Sequence, residues 1–133
     1  MLNYSLEIIG VYIGLNLFIN LFLAYRVSAN RQRSNVLTGT GDDSGLYNAN
    51  RAHVTNVEYT PIILIGLIGL HLLSGSIYVI HAVGLLLTVG RILHAMGLST
   101  AATQSTPPRL IGTVMTWAAQ LVAAVGCLYY ALL

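Results

Sequence analysis

The sequence contains no lysine and little charge of any kind: its 133 residues are 8% charged and 56% hydrophobic, with six arginines and four acidic residues. So few ionisable groups cannot cover a soluble globule of this size, so bilayer lipid is the expected solvent. The net charge of +2 is small and the arginines are scattered along the chain, which excludes the electrostatic footprint of a nucleic-acid binder. A single cysteine, Cys127, excludes an internal disulfide framework. It lies far from the basic residues, so it reads as a packing group rather than a nucleophile. No basic residue precedes the first apolar run, and Glu7 stands where the basic region of a signal peptide belongs. That run is therefore expected to be a retained helix.

What is present is long uncharged stretches. A hydrocarbon core of ~30 Å requires about 20 helical residues, and four spans meet that requirement, at about 6–25, 49–73, 77–98 and 108–132. The sequence thus predicts an all-α membrane protein, a four-transmembrane-helix bundle of up-down topology forming a single membrane domain over 1–133. Ser74-Gly75-Ser76 divides the central apolar stretch and suits a tight turn between antiparallel helices. Each half, Tyr59–Leu73 and Ile77–Gly90, covers only about 22 Å, so each helix must extend into its polar flank. That extension carries Arg51 and Glu58 on the second helix, and Arg91 and His94 on the third. The loops 26–48 and 99–107 share the arginine side. By the positive-inside rule they are cytoplasmic and both termini lie outside. The stretch Thr38–Gly45 reads as flexible and solvated. Tyr4, Tyr78, Tyr129 and Tyr130 form an aromatic belt at the outer interface, and Gly10 and Gly14 make a small-xxx-small pattern suited to close helix approach.

Several constellations could carry chemistry. Arg51 and Glu58 are two turns apart and only about 20° apart around the helix, with Thr55 between. They form either a boundary salt bridge or one wall of an inward-facing polar pocket. Pro61 follows and frees the carbonyl of Val57. Arg91 and His94 share a face of the third helix. Thr106-Pro107-Pro108-Arg109 reads as a helix start with Thr106 as N-cap. Arg109 in that first turn is either an orientation anchor or a cation beside the positive helix end, where a bound anion or thiolate is favoured. His53/His94 and His71/His81 near the two faces leave a haem or quinone carrier as an alternative. A small multidrug transporter is another, although it requires a carboxylate deep in the first helix and Glu7 lies at that helix's outer end.

Arg51-Ala52-His53 with Glu58-Tyr59-Thr60-Pro61, followed by Gly90-Arg91-Ile92-Leu93-His94, resembles the MAPEG family, the membrane-associated proteins of eicosanoid and glutathione metabolism, in its bacterial form. The resemblance covers nearly the whole chain. It implies a homotrimer of four-helix subunits in a bacterial inner membrane, with glutathione as co-substrate held between subunits near the cytoplasmic face, and no metal. It further implies conjugation or reduction of a hydrophobic small molecule arriving from the bilayer. By that resemblance Arg51 and Glu58 hold glutathione, Tyr59 and His53 make lesser contacts, Arg91 and His94 form the third-helix motif, Arg31 contacts a carboxylate, and Arg109 is catalytic, stabilising the thiolate. Two positions depart from the pattern. Thr55 stands where the family has asparagine, with Asn56 displaced by about 100° around the helix. Leu98 stands where an aromatic residue is found. A catalytically inactive MAPEG-like scaffold or accessory subunit is the alternative those departures imply.

Overall fold

In the computed structural model, which describes residues 2–133, four α-helices follow one another: α1 Leu2–Ser34, α2 Ser44–Leu72, α3 Ile77–Ala101 and α4 Pro107–Leu132. All four are long and apolar enough to cross a membrane. The chain is an all-α four-helix membrane bundle. α2 and α3 form its middle; α1 packs on both from one side and α4 on both from the other, and among the described residues α1 does not touch α4.

The helices overrun the spans read from hydropathy, mostly on the arginine side. α1 continues to Ser34 because its polar end carries Arg31 and Arg33 in the last turn, where cations complement the carbonyl end of the helix dipole. It stops at Asn35, which adopts the left-handed conformation at φ 55°, a common helix terminator. α2 starts at Ser44 because Asp43 caps it, accepting a 2.7 Å bond from the Leu46 amide. The expected long loop 26–48 thus shrinks to 35–43, and it is held by arginines. Arg31 donates to the carbonyls of Val36 (3.2 Å) and Gly39 (2.7 Å), and Arg33 pairs with Asp43 at 2.6 Å. α2 stays continuous through Pro61. At the opposite end Ser74, with φ 58°, turns the chain, and the Gly75 amide returns to the Leu70 carbonyl at 2.7 Å.

α3 and α4 approach most closely, through glycine. A Cβ on Gly112 would stand 2.4 Å from the His94 amide nitrogen and 2.5 Å from the Gly90 carbonyl; one on Gly97 would stand 2.6 Å from the Arg109 nitrogen. α4 buries Gly112, Thr116, Ala119, Ala123 and Gly126 toward α3 and α2, a small-residue seam that lets backbones meet where lipid supplies no hydrophobic drive. The Gly10/Gly14 pattern has no such role within the subunit: among the described residues nothing lies within 4 Å of a Cβ at either.

The interior is layered. One apolar cluster contains Ile9, Ile63, Leu67, Leu70, Ile80, Val83 and Leu87. A smaller one on the arginine side contains Leu23, Ala52, Ala95, Leu98 and Ala102. Between them in sequence on every contributing helix lie buried polar groups, Asn16 on α1, Asn56 and Thr60 on α2, and Thr88, Arg91 and His94 on α3. That intervening polar layer positions the site.

Candidate functional site

Arg91 is the centre of the layer. It is 1% exposed, and a buried cation is costly unless paired and hydrogen-bonded. Its Nε donates to Asn56 Oδ1 at 3.3 Å, and a terminal nitrogen lies 3.1 Å from His94 Nδ1. Because a guanidinium only donates, His94 Nδ1 is the acceptor, and a neutral ring then carries its proton on Nε2. The Tyr59 ring faces the guanidinium carbon at 5.7 Å, within cation–π range. Asn56 is itself held by Thr60, whose hydroxyl donates to Oδ1 at 3.1 Å, and by Asn20 on α1, which accepts from Nδ2 at 3.2 Å. No carboxylate makes direct contact with Arg91: among the described residues the only ion pair is Arg33–Asp43.

Beside Arg91 a polar-lined cavity of about 190 Å³ opens between α2, α3 and α4, lined by Arg51, Thr55, Glu58, Tyr59, Arg91, His94, Leu98, Arg109, Thr113, Thr116 and Trp117. Three guanidiniums therefore face one carboxylate across it. Arg51 and Glu58 share the cavity wall as their spacing predicts, but the salt bridge considered for them is not formed among the described residues. Thr55 contributes its face while its hydroxyl donates to the Arg51 carbonyl at 2.8 Å. Arg109 reaches the cavity from the first turn of α4. One of its terminal nitrogens is held by the carbonyls of Ala102 (2.7 Å) and Gln104 (3.1 Å), which fixes the α3–α4 connection against the cavity. Thr106 occupies the N-cap position but makes no side-chain cap bond; Pro108 has removed the N2 amide, one of the two it could cap.

Two candidate residues lie elsewhere in the subunit. Arg31 is engaged by the loop carbonyls of Val36 and Gly39. His53 is half-buried and does not line the cavity, because two residues beyond Arg51 is about 200° around a helix. Conversely, Asn56, displaced by one residue from the family's asparagine, makes the contact that anchors Arg91. Thr113, Thr116 and Trp117 also went unread, although their helical spacing from Arg109 places them on its face. A second polar line descends the α1 side: Ser5 to His71 at 2.6 Å, Tyr12 to His81 at 2.8 Å, and Asn16 to Thr88 at 3.0 Å. These bonds occupy Nδ1 of both outer histidines.

Arg51, Glu58, Tyr59, Arg91 and His94 thus line one cavity, and the model of the MAPEG family matches residues 9–129. The chain belongs to the MAPEG family. It is 26% identical over 121 residues to the inner membrane protein YecN of Escherichia coli strain K12, covering 91% of this chain and 90% of that one. The YecN protein of Escherichia coli O6:H1 matches over the same extent at 26% identity. No solved structure matches the chain. Four apolar spans and an inner-membrane relative support an integral inner-membrane protein for this MAPEG member.

Proposed function

We propose that this MAPEG protein is a glutathione-dependent membrane transferase or peroxidase that conjugates or reduces lipophilic electrophiles reaching it through the bilayer. The observation that carries the reading is the uncompensated positive charge of the cavity: Arg51, Arg91 and Arg109 line it with Glu58 as the lone carboxylate. Glutathione brings two carboxylates, an amine and a thiol, a charge pattern complementary to three guanidiniums and one glutamate. An unperturbed thiol with a pKa of about 8.5 is mostly protonated at neutral pH, and a neighbouring guanidinium favours its thiolate. Arg109, at the start of α4, supplies that cation, and the thiolate attacks the electrophile.

The cavity of about 190 Å³ is smaller than the ~300–1,000 Å³ that encloses a drug-sized ligand. A subunit of this kind supplies part of a site, which fits an oligomer, a homotrimer in this reading, whose neighbouring copies complete it; Arg31 would have to exchange its bonds to the loop carbonyls to take part. The arginine side is the cytoplasmic one and both termini face outward in this reading, on the positive-inside argument.

Calorimetric titration of the detergent-solubilised protein with glutathione, paired with conjugation of a model electrophile, tests the proposal. Binding in the micromolar to millimolar range with thiol-dependent turnover is expected, and Arg109→Ala should lower turnover more than affinity. Absence of binding at millimolar glutathione overturns it. Binding without turnover by any electrophile replaces it with the inactive-scaffold reading, which Leu98 favours because it lines the cavity with no hydroxyl to offer the thiol.

A further inference from the structure

A second, apolar cavity lies away from the polar site. It is a groove of about 530 Å³ between α1 and α3, lined by Phe18, Phe22, Leu23 and Arg26 on α1 and by Ala95, Met96 and Ser99 among others on α3. Leu23 and Ala95 are buried and form its floor, whereas Phe18, Phe22, Ile92 and Met96 are exposed and form its walls. From Phe18 to Arg26 the groove runs about 12 Å along the helix. It ends in polar groups, where the Arg26 guanidinium donates to the Ser99 hydroxyl. Among the described residues Arg26 has no acidic partner.

The depth of Arg26 identifies what the groove meets. Leu6–Tyr25 covers ~30 Å of helix, the thickness of the hydrocarbon core, so Arg26 stands at headgroup level on the arginine side and the apolar groove lies directly beneath it. We propose that this groove is a site for an anionic phospholipid of that leaflet, with one acyl chain laid between Phe18/Phe22 and Ile92/Met96 and the phosphate on Arg26. A second copy of the chain is a poorer occupant on charge. Of its four acidic residues, Glu7 is near the far end of α1, Asp43 is paired with Arg33, Asp42 lies in the α1–α2 loop and Glu58 lines the polar cavity. Asp42 is the one left on the side of Arg26, and it lies past the end of α1 at Ser34, about 12 Å along the helix beyond Arg26. A phosphodiester supplies the anion there, and an acyl chain follows from it into the groove without crossing a polar group.

Brominated-lipid quenching tests this directly, because Trp117 is the only tryptophan. A Trp117→Phe, Phe22→Trp protein carries its reporter on the groove wall. In phosphatidylcholine vesicles, brominated phosphatidylglycerol should reach half-maximal quenching at a mole fraction roughly fivefold lower than brominated phosphatidylcholine, the preference expected for one basic side chain near the surface. Arg26→Gln should abolish the preference, Arg26→Lys should retain it, and high salt should weaken it in the reporter protein itself. Equal quenching by the two lipids overturns the proposal, as does a preference that survives Arg26→Gln. If Arg26→Gln fails to fold, a preference indifferent to salt overturns it. Absence of quenching by either lipid does so too, since the groove would then be closed by protein.

Discussion

Asn56 provides the sharpest test of how the polar layer works. It is 1% exposed and accepts from Arg91 Nε at 3.3 Å and from Thr60 at 3.1 Å, while donating to Asn20 at 3.2 Å. Asn56→Asp keeps the shape and both acceptor bonds, places a carboxylate in direct contact with a guanidinium that has none, and loses the bond to Asn20. The parent bond from Arg91 is already charge-assisted and contributes roughly 1.5–3 kcal/mol; the aspartate adds the pairing of two opposite charges, less the cost of desolvating its own carboxylate. The lost interhelical bond costs about 0.6 kcal/mol on the membrane-protein average. The aspartate variant should therefore be more stable than the parent by about 1 kcal/mol, whereas Asn56→Ala, which strands Arg91, should be less stable by roughly 2 kcal/mol. The same carboxylate competes with any anion for Arg91, so stability and ligand affinity should move in opposite directions. Unfolding in mixed detergent–SDS micelles gives the first quantity, and calorimetric titration with glutathione gives the second. If Asn56→Asp destabilises as much as Asn56→Ala, the bond to Arg91 is not what Asn56 contributes. If it stabilises and leaves ligand affinity unchanged, Arg91 does not meet the ligand.

Three further outcomes follow from the packing and the loop. Hydrogen bonding from Arg33, with the Leu46 amide assisting, holds the Asp43 carboxyl below its ordinary pKa. Its contribution to loop order is thus present above about 3.9 and lost as pH falls through the lowered folded value. A spin label at Thr38 should gain mobility in that acid range, and Asn at 43, still a competent N-cap, should produce the same mobility at neutral pH with α2 intact. Gly112→Ala places a Cβ 2.4 Å from the His94 backbone and should destabilise by about 3 kcal/mol or more, while Gly10→Ala should leave the SDS unfolding midpoint unchanged. Asn16 donates to the Tyr12 carbonyl at 2.9 Å and to Thr88 at 3.0 Å. A double-mutant cycle of Asn16→Leu and Thr88→Val should return a coupling of about 0.6–1.7 kcal/mol; zero coupling would remove that bond from the bundle's cohesion.

The bundle was legible in the sequence because apolar length alone dictates how many times a chain crosses a bilayer, and because two short central stretches had to borrow their polar flanks. Apolar length alone therefore places Arg51, Glu58, Arg91 and His94 at one depth. It did not settle how they pair. Periodicity places residues around a helix's own axis, but which arc of α2 faces α3 depends on how closely the neighbouring backbones approach, and at α3–α4 that approach is set by Gly90, Gly97 and Gly112, which carry no hydropathy signal. Thr55 and Asn56 show the consequence. Their register counted against the site as long as the asparagine was required to face the ligand. In the bundle Thr55 lines the cavity and Asn56 points instead into the α1–α2–α3 interior, where it anchors Arg91 from behind. The helix ends were misjudged for a related reason: Asp43 and Asn35 act through backbone capping and a left-handed turn, local devices that a hydropathy reading counts as loop. The arginines on that face accordingly divide by partner. Arg31 and Arg33 hold a loop, Arg26 meets a serine at the mouth of an apolar groove, and only Arg51, Arg91 and Arg109 converge on a cavity with too little negative charge to satisfy them. It is that imbalance, more than the number of arginines on one side, that points to an anionic ligand.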